Sequence, residues 1–213
     1  MVNQSVMCIV SIRLPRRNFA TEILKRANMK NVLIVSGHPN LGESFANKII
    51  LDELQTLLPE AEFAFLDRLY PNYRIDMEAE QQRLVKADVI VLQFPFFWYG
   101  MPALMKKWVE DVFVYGFSHG STGNKLHGKR LIVSFTSGAP EEMYRYGGLQ
   151  NYPIEAFMPP LMQFANLCGM EWQDYVYSGD LSYASRHDEK KLQDMQARAM
   201  AHARKLVELI TVI

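Results

Sequence analysis

The first segment whose residues could do chemistry is the turn SGHPNLGES at residues 36–44. It leads into a helical pattern, and the free N–H groups and positive dipole end of a helix N-terminus suit a phosphate. Ser44 and Asn47 add hydroxyl and amide donors. The turn lacks both the P-loop lysine and the dinucleotide glycine fingerprint, which disfavours a nucleoside triphosphate or a structurally bound NAD. The alternative is a helix cap within a polar turn.

The second segment is FPFFWYGMP at residues 94–102, where four consecutive aromatic residues stand between two prolines. A planar, tricyclic isoalloxazine ring would be contacted by aromatic faces and by the backbone amides of such a rigid loop. Each aromatic pair contributes about 0.5–1.5 kcal/mol beyond the effect of burial. Aromatic residues also concentrate at subunit interfaces, so an interface is the alternative, and both can hold in a dimer that closes over the ring.

The third segment is TSGAP at residues 136–140, whose small residues allow a ligand to approach the backbone closely. Tyr144 and Arg145 follow it. A phenol or guanidinium group near a flavin could stabilise the negative charge that develops at N1 of the ring as hydride arrives at N5. The alternative is an ordinary mobile surface loop.

Other chemistries find little support in the sequence. His119, His127, His187 and His202 show no metal-ligand spacing with carboxylates, and we expect them at surface or loop positions. No metal site is therefore predicted. No serine sits in a nucleophile elbow with a convincing partner pattern, so a hydrolase triad is also unsupported.

Alternating strands and helices must position these three loops. The apolar patterns predict strands at 31–36, 62–66, 89–94, 129–136 and 172–177, and helices at 45–58, 77–87, 102–114, 159–168 and 188–209, the first with Ser44 as N-cap. This alternation predicts an α/β fold with a doubly wound, five-stranded parallel sheet, helices on both faces and the flavodoxin-like strand order. Ligands of such sheets bind beyond the carboxyl ends of the strands, where loops 37–44, 95–100 and 137–150 must then meet.

Composition is that of a globular protein with no special charge. The 213 residues include 23 basic and 23 acidic ones, but residues 1–29 hold five basic groups against one acidic group, which leaves 18 and 22 elsewhere. That balance offers no broad basic surface for nucleic acid. No apolar run approaches the roughly 18 residues of a membrane span. Two cysteines are too few for a disulfide framework, and this favours a reducing, cytoplasmic compartment. We expect residues 1–29 to be an extension and residues 30–213 to form a single domain.

Several of these motifs together resemble one known family. They are the Gly37-His38-Pro39 turn, the run from Gln93 to Trp108, and Leu126-His127-Gly128-Lys129. The chain from about Met29 onward is similar to the bacterial NAD(P)H:quinone oxidoreductases. That resemblance implies a flavodoxin-like fold, flavin mononucleotide (FMN) held without a covalent bond, a homodimer, and transfer of two electrons from NADH or NADPH to a quinone.

The resemblance also implies roles for individual residues. It assigns the phosphate side of the flavin to five residues of the first loop and helix, and the ring and ribityl chain to nine residues of the other two loops: His38, Ser44, Phe45, Ala46 and Asn47, then Pro95, Phe96, Phe97, Trp98, Tyr99, Thr136, Ser137, Gly138 and Ala139. Tyr144 matches a catalytic tyrosine that stabilises charge on the flavin. The histidine that pairs with this tyrosine in animal members is replaced by Gln150, which cannot exchange a proton near neutral pH.

Tyr144-Arg145-Tyr146 and Asn151-Tyr152-Pro153 resemble a subgroup of the family, the ancillary subunits of glutathione-gated potassium efflux systems. This likeness implies an alternative, regulatory function at a membrane channel, with a peripheral location at the inner face of the cell membrane. A one-electron flavodoxin carrier is a further alternative. Such carriers are typically strongly acidic and need little beyond the flavin loops, whereas this chain is near neutral and has a long segment at 137–152.

Overall fold

The computed structural model of the protein describes residues 30–213, apart from the side chains of Arg186 and His187. Five parallel strands form one sheet in the order β2-β1-β3-β4-β5: β1 (Val32–Ser36), β2 (Glu62–Phe65), β3 (Val89–Pro95), β4 (Arg130–Thr136) and β5 (Glu171–Ser178). This order is the one that defines flavodoxin-like sheets. The predicted fold class and all five strands are confirmed.

Within residues 30–213, six α-helices lie on the two faces of the sheet: α1 (Ala46–Leu57), α2 (Leu66–Leu69), α3 (Met77–Lys86), α4 (Ala103–Val112), α5 (Pro159–Leu167) and α6 (Glu189–Val212). Helices α1 and α6 share one apolar core with the sheet, and α3, α4 and α5 share the other. Strand β3 is buried along its whole length because both of its faces are covered. Among the described residues, no helix is long and apolar enough to span a membrane, although α6 has 24 residues.

The structure corrects the sequence-based boundaries at two points that matter for the site. The strand predicted over 62–66 ends at Phe65, and Leu66 begins the short helix α2, because a buried apolar residue fits either element equally well. Helix α1 begins at Ala46, so Ser44 lies one residue ahead of the N-cap position, Phe45. The Ser44 hydroxyl still accepts a hydrogen bond from the Asn47 N–H, at 3.2 Å.

Strand β5 contains an irregularity that controls which side chains face which core. Its register with β4 shifts so that Trp172 pairs with Leu131 while Asp174 pairs with Ile132. A one-residue shift exchanges the two faces of a strand. As a result Trp172, Tyr175 and Tyr177 all pack against the core beneath α4 and α5. The shift also brings Ser178 beside Thr136, at the carboxyl ends of the two strands.

Candidate functional site

A cavity of about 360 Å³ opens at the carboxyl edge of the sheet. This volume lies within the range of small-molecule sites. The lining residues come from the ends of β3 and β4, from the loops after β1, β3, β4 and β5, and from α1 and α6: His38, Asn40, Glu43, Ser44, Phe45, Ala46, Asn47, Pro95, Phe96, Phe97, Thr136, Ser137, Gly138, Leu181, Tyr183 and Met195. None of them is lysine or arginine, so neutral donors must hold any anion that binds there.

Most of the residues predicted from the sequence meet in this cavity. The five residues assigned to the phosphate side all line it, as do Pro95, Phe96, Phe97, Thr136, Ser137 and Gly138. Trp98, Tyr99 and Ala139 do not line it. The strands converge on the cavity because parallel strands present all their carboxyl ends at one edge.

A hydrogen bond at Nδ1 determines the tautomer of His38 and makes Nε2 a hydrogen-bond donor. Its Nδ1 accepts a bond from the Asn40 N–H, at 3.1 Å, so the proton of the neutral ring is on Nε2. Burial lowers the pKa of His38 below its ordinary value, and the nearby Asp67 carboxylate opposes that effect. A neutral imidazole with a protonated Nε2 therefore borders the cavity.

Asp67 holds the first loop from outside the cavity. Its Oδ2 accepts a hydrogen bond from the Leu41 N–H, at 2.8 Å. Leu41 itself is buried in the core beneath α1 and α6. The loop is therefore held at Leu41 both by burial of the side chain and by the hydrogen bond from its N–H to the Asp67 carboxylate. The sequence analysis did not identify Asp67. It predicted that a strand ends at Leu66, whereas Leu66 and Asp67 lie in the short helix α2.

The aromatic loop forms a tight turn over residues 97–100. The Gly100 N–H donates to the Phe97 carbonyl at 3.1 Å, and both central residues have left-handed backbone angles, φ 49° at Trp98 and φ 66° at Tyr99. Bulky residues rarely adopt this conformation, so the turn stores strain. It presents the Trp98 side chain to the outside, where 95% of it is exposed, and directs the Tyr99 hydroxyl to Gln150 Oε1, at 3.2 Å.

Tyr144 lies beside the cavity within a cluster of aromatic rings. Its ring centroid is 6.5 Å from that of Phe96 and 6.0 Å from that of Tyr177. Burial raises the pKa of the Tyr144 hydroxyl above its ordinary value. The phenol therefore keeps its proton at neutral pH and remains able to donate it to a hydrogen bond.

The loop after β5 completes the wall of the cavity and was not predicted. Backbone hydrogen bonds join it to the third loop: the Leu181 N–H donates to the Ser137 carbonyl and the Asp180 N–H to the Ala139 carbonyl, both at 3.0 Å. These bonds place Leu181 and Tyr183 at the cavity. No local sequence signal marks such residues, because only the pairing of β4 with β5 brings the two loops together.

One histidine is placed differently from the prediction. His202 was expected at a surface or loop position, yet it lies within α6 and is only 2% exposed. Its two ring nitrogens contact the hydroxyls of Ser134 and Ser178, which explains how a polar side chain can occupy an apolar helix face. His127 is exposed and His119 half-buried, while the side chain of His187 lies outside the described part.

Comparison with known proteins identifies the family. A family profile described as "flavodoxin-like fold" matches residues 30–203. The Bacillus subtilis (strain 168) protein described as the uncharacterized NAD(P)H oxidoreductase YrkL is 38% identical over 164 residues, which are 76% of this chain and 92% of that protein.

Two solved structures extend the comparison. General stress protein 14 of Treponema denticola, in complex with FMN, is 28% identical with a TM-score of 0.68, over 81% of this chain and 99% of that one. An NADPH-quinone reductase from P. pentosaceus has a TM-score of 0.65 over 82% and 98% of the two chains, and at 23% identity it supports the fold alone. On the profile match and the identity to YrkL, this chain belongs to the flavodoxin-like NAD(P)H oxidoreductase family.

Proposed function

We propose that this protein binds FMN in the cavity at the carboxyl edge of the sheet and catalyses two-electron transfer from NADH or NADPH to a quinone. One observation carries the proposal: eleven of the fourteen residues assigned to flavin contacts from the sequence line that one cavity. Family membership and the FMN complex of a relative support the cofactor.

The chemistry of the cavity fits a flavin nucleotide. At one end are the N-terminus of α1, the Ser44 hydroxyl and the Nε2–H of His38, which are suited to a phosphate that lacks a lysine or arginine partner. At the other end are the aromatic loop and the small residues Ser137 and Gly138, which admit a planar ring close to the backbone. The three loops that meet here are those that the resemblance assigned to FMN.

Bound FMN would supply a ring that accepts a hydride from NAD(P)H and passes two electrons on to the acceptor. The protein's own contribution is to hold and polarise that ring. We assign to Tyr144 the role of donating a hydrogen bond where negative charge develops, since its raised pKa keeps the phenol protonated. The quinone as acceptor rests on the family resemblance.

We also propose that the active protein is a homodimer. Tyr99, Tyr146, Tyr152 and Phe157 form a continuous series of ring contacts next to the exposed Trp98, and Tyr146 is 75% exposed. An aromatic patch of this kind is typical of a protein interface. Analytical ultracentrifugation should give twice the chain mass of 24.6 kDa. A monomer at micromolar concentration would contradict the proposal.

The decisive experiment is an absorbance spectrum of the purified protein after incubation with FMN and removal of the unbound excess. The near-ultraviolet and visible bands of oxidised flavin should remain with the protein, and NADPH added under anaerobic conditions should bleach them without a separate reductase. A quinone added next should restore them. Absence of bound flavin after reconstitution would overturn the proposal, and bleaching that needs an added reductase would favour an electron carrier.

A regulatory role at a potassium efflux channel stays a prediction from the resemblance. Co-purification with such a channel would support it, whereas full NADPH-dependent activity in cells that lack the channel would favour a free-standing reductase.

A further inference from the structure

A continuous row of buried polar side chains connects the cavity to helix α6. We call it the buried polar network, and its members in order are Thr136, Asn47, Gln93, Ser134, His202 and Ser178. All six are buried or largely buried. Gln93 and Ser134 are register partners on β3 and β4, and Thr136 and Ser178 are register partners on β4 and β5. The network therefore forms a polar layer between the sheet and the two helices α1 and α6.

The hydrogen bonds of the network all run in one direction. Asn47 Nδ2 donates to Thr136 Oγ1 at 3.0 Å, Gln93 Nε2 donates to Asn47 Oδ1 at 2.9 Å, and the Ser134 hydroxyl donates to Gln93 Oε1. A serine hydroxyl has one proton, and that of Ser134 is used on Gln93. The contact of 2.7 Å between Ser134 Oγ and His202 Nε2 therefore requires a proton on Nε2.

The tautomer of His202 also determines the direction of the hydrogen bond at the other end of the network, between Ser178 and His202. With its proton on Nε2, a neutral imidazole accepts at Nδ1, and the hydroxyl of Ser178 supplies that bond at 3.0 Å. Burial, and to a lesser degree the charge of Lys205, lowers the pKa of His202 to about 3. The ring accordingly stays neutral at any physiological pH, and its single proton keeps the direction of the network constant.

The near end of the network opens into the cavity. Thr136 accepts from Asn47 with its hydroxyl oxygen, and within residues 30–213 its hydroxyl proton makes no hydrogen bond. Thr136 also lines the cavity. Its proton is thus available to a ligand there, while one lone pair of the oxygen is already in use.

We propose that His202 is a positioning residue of the cofactor site: through Ser134, Gln93 and Asn47, its Nε2–H holds the Thr136 hydroxyl as a hydrogen-bond donor into the cavity. Thr136 then contacts an acceptor oxygen of the bound flavin nucleotide. The opposite direction would require both amides to rotate and the imidazole proton to move to Nδ1, and it would present a lone pair of Thr136 instead. This inference rests on the proposed FMN site for the identity of the ligand.

A thermodynamic cycle tests the connection between the two ends. FMN dissociation constants are measured by fluorescence titration of flavin-free protein for the wild type, His202→Leu, Thr136→Val and the double variant. We expect His202→Leu to weaken FMN binding about 5-fold, the scale of one hydrogen bond. In the Thr136→Val background the same change should alter the constant less than about 2-fold, since coupled residues are not additive.

Two further variants separate positioning from simple structural support. His202→Gln keeps an N–H donor at the ε position and should bind FMN within about 2-fold of the wild type. Leu206→Ala, one turn along the same helix and fully buried, should lower the melting temperature without any coupling to Thr136→Val. Additive effects of His202→Leu and Thr136→Val, or a His202→Gln variant as defective as His202→Leu, would overturn the proposal.

A second measurement needs no flavin and separates failure of this inference from failure of the proposed function. Nitrogen-15 NMR of protein labelled at histidine, with His202→Gln for assignment, reports the tautomer of His202 directly. We expect a neutral ring with its proton on Nε2. A proton on Nδ1 would overturn the inference whether or not FMN binds, whereas the Nε2 tautomer in a protein that does not bind FMN would contradict only the proposed function.

Discussion

Tyr144 packs edge-on against Phe157 and Tyr177 and lies next to Phe96, a residue of the cavity wall. The aromatic surroundings desolvate its hydroxyl and raise the pKa of that group. On the resemblance to animal members, Gln150 stands at the position of a histidine, and its Oε1 accepts a hydrogen bond from the Tyr99 hydroxyl at 3.2 Å. In the proposed function, Tyr144 therefore acts as a hydrogen-bond donor to the charge on a reduced flavin and not as one half of a titrating pair.

Replacement of Tyr144 by Phe should slow reduction of the bound flavin by NADPH by about 10-fold or more, because one preorganised donor to a developing charge is lost. FMN affinity should change little, because this hydrogen bond strengthens only as negative charge develops on the ring. Anaerobic stopped-flow absorbance measures the rate. Tyr146→Phe is the matched control, because Tyr146 is a neighbouring but mostly exposed tyrosine. Equal rates in the wild type and Tyr144→Phe would contradict the assigned role.

Two variants of Asp67 separate the effect of its charge on FMN binding from the effect of its hydrogen bond. Asp67→Ala removes the acceptor of the Leu41 N–H and should weaken FMN binding by about 10-fold, since bonds to charged groups contribute about 1.5–3 kcal/mol. Asp67→Asn keeps an acceptor oxygen and removes a negative charge near the phosphate side, so its FMN affinity should match or exceed that of the wild type. Fluorescence titration measures both. If Asp67→Asn is as weak as Asp67→Ala, the charge is needed.

Among the elements of the site, the loops after β3, β4 and β5 are joined to one another by backbone hydrogen bonds. The Phe96 N–H donates to the Thr136 carbonyl at 2.7 Å, which ties the aromatic loop to the third loop. The third loop is tied in turn to the loop after β5, by the bonds from Asp180 and Leu181. This succession of backbone bonds follows the strand order β3-β4-β5 and preorganises the cavity wall before any ligand binds.

The left-handed backbone angles in the turn of the aromatic loop predict a difference in stability between two variants of Trp98. Asn tolerates left-handed backbone angles better than Ala, so Trp98→Asn should be more stable than Trp98→Ala by about 1 kcal/mol. Both variants lack the indole, and their difference therefore reports the backbone alone. Urea unfolding at one protein concentration measures it. Equal stabilities would show that the turn relaxes when the indole is removed.

At the scale of the whole molecule, the two apolar cores are separated by the sheet, and the polar network lies within the core beneath α1 and α6. His202 is the titratable group of this network, and Ser134 and Ser178 are its hydrogen-bond partners. Helix α6 thus carries both the apolar residues that hold it on the sheet and a histidine that contacts two strands. Stability and site geometry are connected through one side chain.

The stability of the fold should fall in mild acid because of His202. Its pKa is about 3 in the folded protein and 6.5 in the unfolded chain, so the unfolded state binds one more proton between these values. The contribution of His202 to the free energy of unfolding is fully present above pH 6.5 and is lost as the pH falls toward 3. Between pH 7 and pH 5 the loss is about 2 kcal/mol. Urea unfolding at both pH values measures the loss. His202→Gln should show a loss smaller by that amount, and an identical loss would contradict the assignment.

A site shared by both substrates would constrain the kinetics. If NADPH and the quinone use the same face of one bound flavin in turn, initial rates at several fixed quinone concentrations should give parallel lines in double-reciprocal plots. Steady-state assays of the reconstituted protein measure this. Intersecting lines would mean that both substrates are bound at once.

Local sequence patterns were sufficient to predict the fold class, the five strands, five of the six α-helices within residues 30–213 and three of the loops around the cavity. Continuous apolar runs at β1 and β3 and helical spacing at α1 and α4 are local signals, and parallel strands bring their carboxyl ends together in any doubly wound sheet. The residues following those strands could therefore be assigned to one cavity. The aromatic and small-residue loops were recognised in the same way, from composition and position.

Register and contacts between distant elements bring together the remaining residues of the cavity wall and of the polar network. The register shift in β5 places Ser178 next to Thr136, and the pairing of the last two loops brings in Leu181 and Tyr183. His202 was expected at a surface or loop position, and the sequence could not show otherwise because its two partners are 68 and 24 residues distant. Periodicity reports which face of an element is apolar, whereas a hydrogen bond between distant elements depends on register and packing, which no local pattern encodes.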